Sequence, residues 1–103
     1  MSKLLEAQFK FAKLVPRLID KAFELGYTVT LGDAYRDERC PYGSKSSLHR
    51  VRLAIDLNLF RNGKYLTHTE DHRELGEWWE GIDGCVWGGR FEDGNHYQMN
   101  YPT

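Results

Sequence analysis

The sequence predicts one small α+β domain, in which a small antiparallel sheet carries an N-terminal helix and a second helix. Three observations point there. Apolar residues recur at helical spacing near the start; short β-rich segments alternate with turn signals in the middle; and 103 residues give one modest core. A chain of this length buries roughly two-thirds of its unfolded surface, so residues 1–103 are read as a single domain.

Residues 3–25 read as an amphipathic helix. Leu4, Leu5, Ala12, Val15, Ile19, Ala22 and Phe23 form its inward stripe, and Lys10, Lys13, Arg17 and Lys21 another face. Pro16 lacks an amide donor and should kink or split the element. Gly26 suits the turn after a helix end. Residues 27–31 (Tyr-Thr-Val-Thr-Leu) are rich in β-branched and aromatic side chains and read as a strand. Residues 37–47, with Pro, Gly and Ser among charges, read as a loop. Residues 53–60 form a second strand, and Asn62-Gly63 is a hairpin turn leading into 64–66. Thr69 is placed to cap a helix running to about Glu80, with Leu75, Trp78 and Trp79 inward. Glycines at 81, 84, 88 and 89 make the next stretch irregular, and residues 96–101 close as a last strand. Trp87 joins Trp78 and Trp79 as expected core.

Composition excludes several classes. With 41% hydrophobic and 14% aromatic residues the chain is not disordered. No apolar run approaches the ~18 residues of a membrane span. Met1 is followed by a glutamate and lysines before any apolar stretch of the signal-peptide type, so synthesis in the cytoplasm without an export signal is expected. Residues 1–65 carry 12 basic and 7 acidic side chains and residues 66–103 carry 2 and 8, an asymmetry that reads as two attracting surfaces. Without a domain-wide basic excess, no nucleic-acid partner is expected. A monomer is expected too. Cys40 and Cys85, 45 residues apart, are expected to be free thiols. No Cys-x-x-Cys pair is present, so any metal must be held by histidine and carboxylate.

Four histidines are candidates. His68 and His72 have the i,i+4 spacing of zinc pairs but lack the intervening glutamate, and read as surface residues at a helix start. His49 and His96 each sit where an irregular segment meets a strand, with Asp56 and Asp93 nearby in sequence. Seven extended residues span roughly 23 Å, so His49 and Asp56 share a metal only if the chain bends back within residues 50–53. The residues alone leave this open against one buried histidine among solvated acids.

Ser47-Leu48-His49-Arg50-Val51-Arg52-Leu53-Ala54-Ile55-Asp56-Leu57 resembles the Ser-x-His-x-x-Gly-x-Ala-x-Asp motif of the zinc D,D-carboxypeptidase and D-Ala-D-Ala dipeptidase family. The segment from Trp87-Gly88-Gly89 through Asp93-Gly94-Asn95-His96-Tyr97-Gln98 is similar to that family's second motif, and Thr30 to Arg36 to its upstream strand ending in Tyr-Arg. Within the family the chain is most similar to phage L-alanyl-D-glutamate endolysins. The resemblance implies a fold packed around a zinc ion held by His49, Asp56 and His96. It implies Asp93 as the general base, Arg36 as the group stabilising the oxyanion, and Ser47 near the substrate. The implied activity is that of a zinc metallopeptidase, endolysin-like, hydrolysing the stem peptide of bacterial peptidoglycan after release to the wall. The alternatives are a D,D-carboxypeptidase or dipeptidase, for which Arg50, Arg52 or Arg90 would supply a carboxylate pocket, and a non-catalytic zinc-binding module. One departure stands out: the family's glycine is Arg52 here, which strains the bend if positive φ is required and is harmless if only space is. For Arg36, the competing role is a salt bridge to Asp33 or Asp37.

Overall fold

The computed structural model describes residues 1–44 and 46–101; residue 45, within the expected 37–47 loop, lies outside them. The first helix, α1 (Lys3–Glu24), begins at Ser2, whose hydroxyl accepts from the Leu5 amide at 3.0 Å. It runs unbroken through Pro16, in contrast to the expected split. Its buried positions are Phe11, Leu14, Leu18 and Ala22, whereas Leu5, Ala12 and Phe23 are exposed. The stripe is therefore rotated from the one the spacing suggested. Many apolar residues lie on this helix, and only the position of its partner decides which of them face inward.

Four strands form an antiparallel sheet in the order β1 (Thr28–Leu31), β2 (Ala54–Arg61), β5 (His96–Met99), β4 (Cys85–Trp87). The short β3 (Lys64–Tyr65) folds back on β2 through Asn62-Gly63, both at positive φ as a primed turn demands. β4 lies where an irregular stretch was expected. Three residues between glycines carry too little pattern to read as a strand; pairing with β5 creates it.

The second helical element begins as a 3₁₀ turn (Thr69–His72) and continues as α2 (Arg73–Glu80). Its cap is His68 rather than Thr69: the Asp71 carboxylate accepts from the His68 amide at 3.0 Å. Both helices pack on one face of the sheet. Trp79, Trp87, Leu18, Leu57, Leu59, Leu75 and Tyr97 are fully buried there, with Phe11 edge-on to Trp79. Trp78 is half-buried instead, under the Lys21 ammonium. Period-two alternation on β2 sends Ile55, Leu57 and Leu59 into this core and turns Asp56 and Asn58 to the opposite face. That outer face carries the site.

His72 corrects the sequence reading. It is 3% exposed, with Nδ1 2.8 Å from the Tyr97 hydroxyl, not a surface residue. Cys40 is half-buried and Cys85 buried, and both are free thiols; burial pushes the Cys85 thiol up to about 11. Among the described residues no helix is long and apolar enough to cross a membrane.

Candidate metal centre

Asp56 and His96 are directly opposed across the β2–β5 ladder, so the pleat places both side chains on the outer face. His49 reaches them from a 3₁₀ turn (Leu48–Val51) capped by Ser47, whose Oγ accepts from the His49 amide at 3.2 Å. The required bend is made by Arg52, which is left-handed at φ 60°, ψ 35°, and closed by the Leu53 amide donating to the Leu48 carbonyl at 2.9 Å. The family's glycine position thus does carry positive φ. The Arg52 guanidinium lies 4.0 Å from the Tyr35 ring centroid, a contact that offsets part of the backbone cost.

The result is a triangle. His49 Nε2 is 3.1 Å from Asp56 Oδ1 and 3.2 Å from His96 Nδ1, which is 3.6 Å from the same Asp56 oxygen. Metal–ligand bonds of ~2.0–2.2 Å at tetrahedral angles put neighbouring ligand atoms ~3.3–3.6 Å apart, so the spacing fits a zinc-sized cation. Hydrogen bonding serves these atoms badly. A proton on His49 Nε2 can be given to Asp56 or to His96, not fully to both, whereas one cation satisfies all three lone pairs. His49 Nδ1 is buried without a partner, leaving Nε2 as that ring's engaged nitrogen.

The surroundings fix the rings. His96 Nε2 is 2.7 Å from Gln98 Oε1, and Gln98 donates through its amide nitrogen to Asn100 Oδ1 at 2.8 Å. With Nε2–H donating, the His96 Nδ1 lone pair faces the cluster, the arrangement that metal-binding histidines use. Burial would raise the Asp56 carboxyl, but the bonds from His49 and His96 overrule it and hold the group at about 2. Burial would likewise lower His96; its bonds to Asp56 and Gln98, with the Asp93 charge, raise it instead. The site favours positive charge beside an ionised carboxylate.

A cleft of about 450 Å³ opens over the cluster, and Arg36, Ser47 and Asp93 line it with the three candidate ligands. Asp93 is half-exposed, with Oδ2 3.7 Å from His96 Nδ1. It hangs from a tight turn: its amide donates to the Gly88 carbonyl at 2.9 Å, and a Cβ at Gly88 would collide with the Asp93 carbonyl and the His96 side chain. Arg36 is 10% exposed, 3.6 Å from Asp33, and its Nε is buried without a partner. The expected ion pair with Asp33 is therefore present, but it is loose and leaves donors free toward the cleft. Gly43, at φ 78°, presses against this guanidinium so closely that no side chain fits there.

The other arginines are occupied. Arg50 donates to the carbonyls of Ser44, Asp37 and Cys40 at 3.0–3.1 Å, tying the 37–44 loop to the His49 turn. Arg52 lies on Tyr35, and Arg90 pairs with Glu80 at 2.7 Å. None of the three lines the cleft. The site thus brings together all six residues singled out in the sequence, together with Gln98, which sequence reasoning gave no role, and Arg50, which it offered for a carboxylate pocket and which clamps a loop instead. Gln98 was visible as part of the His-x-Gln motif; nothing local marked Arg50 as a loop clamp.

A family described as D-alanyl-D-alanine carboxypeptidase, within peptidase family M15, matches residues 42–99. That is more than half of the chain and contains Ser47, His49, Asp56, Asp93 and His96. The chain belongs to this family. A search of curated proteins returns no match. The M15 assignment makes the chain a member of a metallopeptidase family, and among the described residues His49, Asp56 and His96 form a group that could hold a metal. Arg36 lies upstream of the matched segment and reaches the cleft through the fold: its amide donates to the His49 carbonyl at 3.1 Å.

Proposed function

We propose that this M15 member is a zinc-dependent peptidoglycan peptidase that cleaves the stem peptide as an endopeptidase, in the manner of L-alanyl-D-glutamate endolysins. The observation that carries the reading is one cleft holding a zinc-sized His49–Asp56–His96 triangle with Arg36 and Asp93 beside it. Zinc held by these three residues would supply the Lewis acidity that makes a water nucleophilic at neutral pH. Arg36, with unspent donors toward the cleft, holds the scissile carbonyl and the negative charge that develops on its oxygen. Asp93 takes the proton of the attacking water and returns it to the departing nitrogen as the C–N bond breaks. Ser47 acts through His49, whose turn it caps.

The family's description favours a carboxypeptidase as the second reading. That activity needs a cation for the substrate's free carboxylate. Among the described residues Arg36 is the only lysine or arginine lining the cleft, and it is assigned to the carbonyl. This supports the endopeptidase.

The test is release of amino groups from purified peptidoglycan, and from stem peptides with free or amidated C-termini, at equal zinc occupancy. Asp93→Asn keeps the shape without a titratable oxygen and is expected to retain zinc while losing ~10²–10⁴ in turnover. Wild-type release by that variant would remove Asp93 as the base. Cleavage confined to free C-termini would establish the carboxypeptidase.

A further inference from the structure

A second opening adjoins Asp93 at the start of the second helical element. A groove of about 250 Å³ lies between the segment around 65–69 and the 92–95 turn, and Thr67, Thr69, His72, Glu92 and Asn95 are among its lining residues. Asp93 lines both this groove and the cleft above the His–Asp–His triangle, so the residue lies where the two meet. Arg36 lines the first cleft and not the second. The two groups assigned to the carbonyl and to the departing nitrogen therefore give the substrate a direction. The acyl half lies with Arg36. The half that leaves starts at Asp93 and has the groove beyond it.

His72 gives that groove a built hydrogen-bonding group. The side chain is 3% exposed yet lines the groove, and its Nδ1 is 2.8 Å from the Tyr97 hydroxyl. Were Nδ1 the donor, the buried phenol proton would have no acceptor among the described residues, which is costly. The phenol therefore donates to Nδ1, and the neutral ring carries its proton on Nε2. No described residue accepts from that nitrogen. The groove's charge points the same way: Glu92 and Asp93 line it, and no lysine or arginine among the described residues does.

We propose that this groove binds the leaving-amine half of the substrate peptide, with His72 Nε2–H donating to a peptide carbonyl and Glu92 selecting a segment that bears a free amino group over one that ends in a carboxylate. The proposal rests on the peptidase reading, because Asp93 sets its direction.

The test separates binding from turnover. The leaving-half peptide D-isoglutaminyl-L-lysinamide and its Nε-acetylated form are titrated into the zinc-loaded full chain while the backbone amides are followed by NMR. The expected result is shifts at Thr67, Thr69 and Asn95, with the free-amine peptide bound roughly 1.5- to fivefold more tightly, as one partly exposed ion pair supplies. Glu92→Gln should abolish that preference while the acetylated peptide binds as before, and added salt should erode it. Shifts confined to the first cleft, or a preference unchanged in Glu92→Gln, would overturn the proposal. Groove binding by a protein that releases no amines would remove the peptidase reading and leave the groove's ligand class standing. Hydrolysis without groove shifts would do the reverse.

Discussion

At the scale of single residues, the centre depends on three atoms that approach within 3.1–3.6 Å of one another. Removing either imidazole leaves two protein ligands, too few for a stable zinc site. His49→Ala and His96→Ala are each expected to lose stoichiometric zinc, measured by metal analysis after dialysis. His68→Ala should keep it, since His68 caps a turn and belongs to no group of potential ligands. Arg36 is held loosely by Asp33 and has an unpartnered Nε, so its worth lies in the cleft more than in the fold. Arg36→Ala should lower turnover by ~10²–10³, the usual loss of one oxyanion donor, with zinc content unchanged. Loss of thermal stability with normal activity per folded molecule would assign Arg36 to its ion pair instead.

At the scale of the element, the His49 turn is a short 3₁₀ segment that ends on a non-glycine residue in left-handed conformation. That conformation costs a side-chain-bearing residue ~1–2 kcal/mol, and an exposed arginine–aromatic contact returns ~0.5–1 kcal/mol. The contact offsets about half of the cost, which helps explain how Arg52 stands where the family has glycine. Arg52→Gly relieves the strain and loses the Tyr35 contact, so its stability should stay within ~0.5 kcal/mol of the parent. Arg52→Ala keeps the strain and loses the contact, and should be less stable than Arg52→Gly by ~1 kcal/mol in denaturant unfolding. An Arg52→Ala more stable than Arg52→Gly would mean that the left-handed backbone carries no strain, and one as stable as the parent that the Tyr35 contact contributes nothing.

At the scale of the whole molecule, acid stability draws on an imidazole that stands at the start of α2, as expected, but is buried there rather than exposed. Burial keeps His72 neutral down to about pH 4, whereas the unfolded chain takes up its proton near 6.5. A depressed pKa means the folded state binds fewer protons, so this contribution is fully present above pH 6.5 and is lost as pH falls from 6.5 toward 4. The loss is on the order of 1–3 kcal/mol. His72→Gln can still accept from the Tyr97 hydroxyl but cannot titrate. Its melting temperature should fall less between pH 7 and pH 4.5 than that of the parent, although other groups titrate in both. Equal slopes would show that His72 is solvated in the folded chain.

What the sequence determined by itself is whatever short-range chemistry decides. The hairpin at Asn62-Gly63 follows from two residues that tolerate positive φ, and the outward turn of Asp56 follows from the alternation of β2. The site residues were legible through their resemblance to a family's motifs; residue types and spacing alone left them open. Tertiary structure decided everything that depends on a partner distant in the chain. Which stripe of α1 is buried depends on where the sheet lies; β4 exists because β5 offers it a ladder. His72 is buried because Tyr97, 25 residues on, closes over it. Arg50 clamps the 37–44 loop because folding brings three carbonyls to one guanidinium. Local propensity acts over a few residues, whereas burial and hydrogen bonding are settled between segments that only the folded chain makes neighbours.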